Sequence, residues 1–217
     1  MNIEQSLASK LLSIKAIKLS PSDPFTWASG LRSPIYCDNR LSLSYPEVRN
    51  MIKNSFKKII EKHEYDVDII IGVATAGIPH GALLADCLDL PFAYVRSKSK
   101  GHGRQNIIEG QVKEGMNAIV VEDLISTGGS CLKAVDVLRE INVNVVNVFS
   151  IFTYNLDEAT ENFSAAKCSY LSLTNYPSLL ETAKSDGTIS DEDYVILKEW
   201  YKSPQSWSQE YLLKKEK

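Results

Sequence analysis

A chain of 217 residues with 44% apolar residues and a formal net charge of −3 is long enough to bury a core without crosslinks or metals. The slightly acidic balance argues against a nucleic-acid binder that works by overall charge. No apolar run approaches the roughly 20 residues that span a bilayer. The N-terminus, MNIEQSLASKLLSIKAIKL, is amphipathic and lacks the apolar stretch and cleavage site of a signal peptide. A cytoplasmic protein with neither membrane nor nucleic acid as partner is expected. The four cysteines, Cys37, Cys87, Cys131 and Cys168, are scattered with no C-x-x-C, which fits free thiols in a reducing compartment rather than a zinc site.

Residues 3–17 carry Ile3, Leu7, Leu11 and Ile14 at helical spacing. Phe25 to Tyr36 is rich in Pro, Gly and Ser with interspersed aromatics and reads as irregular or short-stranded. Pro46 suits a helix start, and that pattern runs to about His63. Val67 to Val73 is a continuous apolar strand, 78–88 a helix and Pro91 to Val95 a further strand. Ile119 to Val121 begins another strand, followed by a helix from about Ser130 to Ile141. Val143 to Phe152 is again a strand, then come a helix near 156–163, a strand near 169–173 and helical segments to the end. Apolar strands alternating with helices predict an α/β fold, with a largely parallel central sheet flanked by helices on both faces. With no internal repeat and no linker, residues 1–217 are expected to form a single domain.

The most informative stretch is Ile119-Val120-Val121-Glu122-Asp123-Leu124-Ile125-Ser126-Thr127-Gly128-Gly129-Ser130. A buried strand runs into two carboxylates, then into a small-residue turn that opens a helix. Such a turn points backbone N–H groups inward at the positive end of a helix, which makes a phosphate cradle. Glu122 and Asp123 would repel a bare phosphate. They make sense for a ligand that also carries hydroxyls or a metal, as a ribose phosphate does. On a regular strand the two would face opposite ways, so the strand is expected to end about here if both serve one ligand. An ordinary strand-to-helix turn is the plainer alternative, but it gives the acidic pair no purpose. Two other phosphate motifs fail. Gly72 and Gly77 have P-loop spacing, but Ile78-Pro79 stands where Lys-Ser/Thr is needed. Gly101 and Gly103 start a dinucleotide fingerprint whose third position is Asn106.

The run Arg96-Ser97-Lys98-Ser99-Lys100-Gly101-His102-Gly103-Arg104 is basic at every second residue. Extended, it would carry all five basic side chains on one side. It reads either as a mobile, positive loop for a polyanion or as a solvated β-hairpin whose lysines guard a sheet edge. The acidic overall balance favours the first, since this is the one concentrated positive patch in the chain.

The acidic pair with Ile125 to Ser130 resembles the phosphoribosyl diphosphate motif of the type I phosphoribosyltransferases. Three further segments narrow the resemblance to the orotate phosphoribosyltransferase family over nearly the whole chain. They are Ser29-Gly30-Leu31-Arg32-Ser33-Pro34-Ile35-Tyr36-Cys37-Asp38-Asn39-Arg40, Gly72-Val73-Ala74-Thr75-Ala76-Gly77-Ile78-Pro79, and Lys100-Gly101-His102-Gly103. The resemblance implies an N-terminal hood over about 1–45, a core over about 65–175 and a mobile loop over about 97–110. It implies transfer of a phosphoribosyl group from 5-phosphoribosyl 1-diphosphate (PRPP) to orotate in pyrimidine biosynthesis, with Mg2+ held mainly through PRPP and no direct protein ligand. Lys100, His102 and Asp123 are the implied catalytic residues. PRPP would be bound by Arg96, Lys100, His102, Glu122, Asp123, Leu124, Ile125, Ser126, Thr127, Gly128, Gly129 and Ser130, and Ser126 would also touch orotate. A homodimer with the loop shared across subunits is implied as well.

The chain departs from that pattern in places. Some family members carry lysines where this chain has Ala28 and Ala76, a loop lysine where it has Ser97, and a late arginine on the orotate carboxylate near Phe152-Thr153-Tyr154. Arg32 and Lys98 could compensate, and Arg32 and Arg40 are candidates for the carboxylate, although each reads more simply as a fold-stabilising arginine. His63 suits a helix C-terminus, His80 a packed or capping position, and Trp27, Trp200 and Trp207 the anchoring of terminal segments. A donor-sensing regulator without catalysis would have little need of Lys100 and His102 and would carry a basic recognition helix, which is not seen. Transfer to a purine or to uracil is opposed by the Ser29 to Arg40 segment.

Overall fold

Ile69–Val73 is buried at every position, as a strand covered on both faces must be, and it sits near the middle of the main sheet. The computed structural model describes residues 2–27, 29–97 and 107–215. In chain order the elements are α1 (Ile3–Ser13), β1 (Ile17–Leu19), β2 (Phe25–Thr26), β3 (Arg32–Ser33), β4 (Ile35–Cys37), a 3-10 turn (Asn39–Ser44), α2 (Pro46–Lys62), β5 (Ile69–Val73), α3 (Gly77–Leu88), β6 (Phe92–Val95), β7 (Ile108–Glu109), β8 (Asn117–Ile125), α4 (Gly129–Glu140), β9 (Asn144–Thr153), α5 (Asp157–Ala165), β10 (Tyr170–Asn175), α6 (Tyr176–Ser185), α7 (Asp191–Lys202) and α8 (Pro204–Lys215).

The main sheet has six strands in the order β10-β9-β8-β5-β6-β7. Neighbours run parallel except β6 and β7, which pair antiparallel with Val95 opposite Ile108. The basic run therefore falls between two paired strands at the sheet edge. Lys98, Lys100, His102 and Arg104 themselves lie outside the described residues, as does Ala28.

Alternation along the strands sorts the core into two layers. Ile119 and Val121 of β8 pack with Leu7, Ile52, Phe56 and Leu84 from α1, α2 and α3. Ala118 and Val120 face the other way, toward Val135 and Leu138 of α4 and Phe163 of α5. The first helix stops at Ser13, four residues short of the expected span, because Lys15 takes a positive φ of 58° and Ile17 enters β1 opposite Cys37. Helix α1 packs on α6 and β10, so the hood proper consists of the small pairs β1–β4 and β2–β3. No helix among the described residues is long and apolar enough to cross a membrane.

Candidate active site

From β5 the chain crosses to β6 on one side, while β8 lies on the other. Open α/β sheets place ligands at the strand C-termini where the order reverses in this way. At the end of β5 the start of α3 lies hard against β8: a Cβ on Gly77 would come 2.2 Å from the Val121 carbonyl oxygen. That approach, rather than a phosphate loop, explains the glycine.

The end of β8 carries the acidic pair, and here one expectation is corrected. The strand does not stop at the pair but continues to Ile125, and the two carboxyls nevertheless meet in a side-chain hydrogen bond. Glu122, 5% exposed, turns toward α4, where its carboxylate accepts from Ser130 Oγ at 3.0 Å and from the Asp123 backbone N–H at 3.1 Å. Asp123 turns toward the hood. Its carbonyl accepts from Asn39 Nδ2 at 2.7 Å, while the Oδ1 of that fully buried asparagine finds no partner. Burial raises both carboxyls above their usual range, Glu122 further because the Asp123 charge adds to it. The hydrogen bond from Glu122 works the other way on Asp123, and the pair as a whole holds a proton more readily than two separate carboxyls would.

Beyond the strand, Gly128 holds φ +83° at the N-cap of α4, and no side chain caps the helix. Its unpaired N–H groups are left for a ligand. The turn is braced from α5: Asn162 Nδ2 donates to the Thr127 carbonyl at 3.0 Å, and a Cβ on Gly128 would lie 2.5 Å from the Phe163 ring. Ile125 is fully buried and its carbonyl accepts from the Tyr154 N–H at 3.0 Å, so it offers a ligand no side chain.

Three clefts surround this turn. One of about 530 Å³ is lined by Trp27, Tyr36, Cys37, Leu124, Ser126 and Tyr154, a flat aromatic slot suited to a planar ring. Burial, and then the charge of Asp123, raise the Cys37 thiol well above its usual value, so it stays neutral. A second cleft, of about 600 Å³, shares Trp27 and Ser126 and is closed by the elbow between α7 and α8. A third, of about 310 Å³, lies by the ends of β5 and β6 and contains Arg96, Ser130 and Lys133. Arg96 reaches Glu109 Oε1 at 3.4 Å.

The turn is legible in the sequence, but Lys133 and Asn162 carry no local motif, Asn39 lies in the Ser29 to Arg40 segment without a role of its own there, and Trp27 reads only as an anchor. Arg40 is committed to Asp38 through two bonds of 2.6 and 2.8 Å, and Arg32 lines neither cleft at Ser126. Tyr154 sits in an aromatic cluster with Trp27 and Trp200 at centroid distances of 5.3 and 5.9 Å. His80 is packed, 2% exposed, with Nε2 3.4 Å from Ser42 Oγ. His63 caps the end of α2.

Fold and site together define an α/β protein whose switch point carries an acidic pair and an uncapped, glycine-led helix start, an arrangement suited to a phosphorylated, hydroxyl-bearing ligand. The sequence profile of the phosphoribosyl transferase domain matches residues 43–175. An orotate phosphoribosyltransferase of Listeria innocua is 49% identical over 207 residues, covering 95% of this chain and 99% of the relative. One of Bacteroides thetaiotaomicron is 51% identical over 206 residues, covering 95% and 97%. The crystal structure of orotate phosphoribosyltransferase from Aeropyrum pernix superposes with a TM-score of 0.73 at 28% identity, covering 85% of this chain and 99% of that one. The chain belongs to the phosphoribosyltransferase family, and within it to the orotate phosphoribosyltransferases.

Proposed function

We propose that this protein transfers the phosphoribosyl group of PRPP to N1 of orotate, giving orotidine 5′-monophosphate and pyrophosphate. The observation that carries this reading is the Glu122–Asp123 pair a few residues before the uncapped, glycine-led start of α4, with an aromatic slot beside the turn that joins them. In such a transfer positive charge develops on the ribose while negative charge leaves on pyrophosphate. Asp123 takes the ribose hydroxyls and favours the positive charge. The N–H groups of 126–130, with the hydroxyls of Ser126, Thr127 and Ser130, hold the 5′-phosphate. Glu122 completes the pair when Ser130 turns from it to the phosphate. Orotate lies in the slot against Ser126.

Arg96 lies at the base of the basic run, from which Lys100 and His102 close over pyrophosphate and exclude water. We place that loop in the partner's site across a two-fold dimer; the strands that flank it, β6 and β7, form the edge of the main sheet. Among the described residues no three His, Cys, Asp or Glu side chains gather to hold a metal. Mg2+ often keeps substrate phosphates and waters as most of its ligands, and a site without such a cluster fits an ion held mainly through the donor's own oxygens. The ion would supply charge neutralisation on the diphosphate. Four free thiols suit a reducing, cytoplasmic setting. The reaction is tested by mixing protein, PRPP and orotate and following products: orotidine 5′-monophosphate should appear in equal amount with pyrophosphate, and pyrophosphate without the nucleotide would overturn the reading.

A further inference from the structure

An acceptor that carries a carboxylate needs a cation where it binds, and the aromatic slot has none among its lining residues. The adjoining cleft shares Trp27 and Ser126 with the slot, so the two meet at the wall against which the base is placed. That cleft is lined by one cationic side chain among the described residues, Lys202. Two other cations among the described residues are engaged elsewhere. Arg40 is held by Asp38, and Arg96 lies in the third cleft against Glu109.

The backbone at Lys202 is fixed at the cleft rim from both sides. Trp200 is fully buried, and Tyr201 Oη donates to the Asn155 carbonyl at 2.7 Å. Beyond the elbow, Ser208 Oγ accepts from the Arg32 N–H of the hood at 2.9 Å. Lys202 is exposed at this rim and forms no ion pair among the described residues, and its flexible four-carbon stem is long enough to swing the ammonium into the cleft when an anion is bound. Asp157 and Glu158 line the same cleft and would repel an anion that entered without a cation beside it.

We propose that Lys202, on the elbow between α7 and α8, binds the carboxylate of the acceptor base and so sets the preference for orotate over uracil. This rests on orotate being the acceptor. The test is calorimetric titration with orotidine 5′-monophosphate and uridine 5′-monophosphate, which differ only in that carboxylate. For Lys202→Met the Kd of the first should rise about tenfold, that of the second should stay unchanged, and Lys202→Arg should behave like the parent. Both nucleotides weakening alike would reduce Lys202 to a structural part of the elbow, and no change in either would also overturn the proposal. A parent protein that does not prefer orotidine 5′-monophosphate would instead overturn orotate as acceptor.

Discussion

Asp123 and Glu122 are neighbours in sequence, and what each touches separates their work. Glu122 is tied to Ser130, whereas Asp123, whose carbonyl is held by Asn39 of the hood side, is assigned the charge that faces the ribose. Asp123→Asn preserves shape and removes that charge. Its kcat should fall on the order of 10²-fold, about 3 kcal/mol of transition-state stabilisation, with smaller damage to donor binding. An unchanged kcat would remove Asp123 from the chemistry. The phosphate turn offers a second test at this scale. Asn162→Ala leaves the Thr127 carbonyl without its donor, and Gly128→Ala forces a methyl into the Phe163 ring at a φ of +83°. Both should raise the PRPP KM about tenfold, with kcat at saturating donor less affected. Kinetics in which kcat falls and the donor KM holds would show that the turn does not seat the phosphate. The glycines of the turn were legible in the sequence because only a small residue tolerates that backbone. Asn162 was not, since its contact spans 35 residues of chain.

Among the elements, α3 carries an acid-sensitive contact. Burial lowers His80 from 6.5 to about 4, so the folded protein holds it neutral. As pH falls the unfolded chain takes up that proton first. The stability that neutral His80 contributes is therefore complete above about 6.5 and is lost as pH falls through about 4. Between pH 7 and pH 5 the loss should be about 2 kcal/mol. Urea unfolding at fixed protein concentration should show the parent losing that much more than His80→Gln over this interval. Equal losses would mean that His80 is protonated in the folded state or that other groups dominate. The parallel strands and most helices could be read from sequence, since strands buried on both faces are continuous aliphatic runs. Two features could not. Strand β7 has only two residues and no period, and the continuation of β8 past Glu122 depends on its pairing with β9, where Ile125 lies opposite Thr153.

Across the whole molecule the two chain ends converge on the site: the hood supplies Trp27 and Tyr36, and the C-terminal helices brace it through Ser208 and Trp200. The resemblance covered the hood and core motifs, but nothing in the last helices announced a cleft wall, because their place there is set by contacts with residues more than 40 positions away. The proposed shared loop can be tested with two defective proteins. In a hybrid of Lys100→Ala and Asp123→Asn chains, the second chain lends an intact loop to the first, whose Asp123 is intact, and one site is complete. Mixing and re-forming the two should restore activity. Hybrids detected by native mass spectrometry yet no more active than their parents would place the loop over its own subunit's site. The central claim concerns the acceptor, and one measurement addresses it directly: pyrophosphate release from PRPP with orotate, uracil, hypoxanthine and adenine offered separately. Rapid release with orotate and little with the other three is the outcome expected of this site, whereas release as fast with uracil or a purine as with orotate would contradict it.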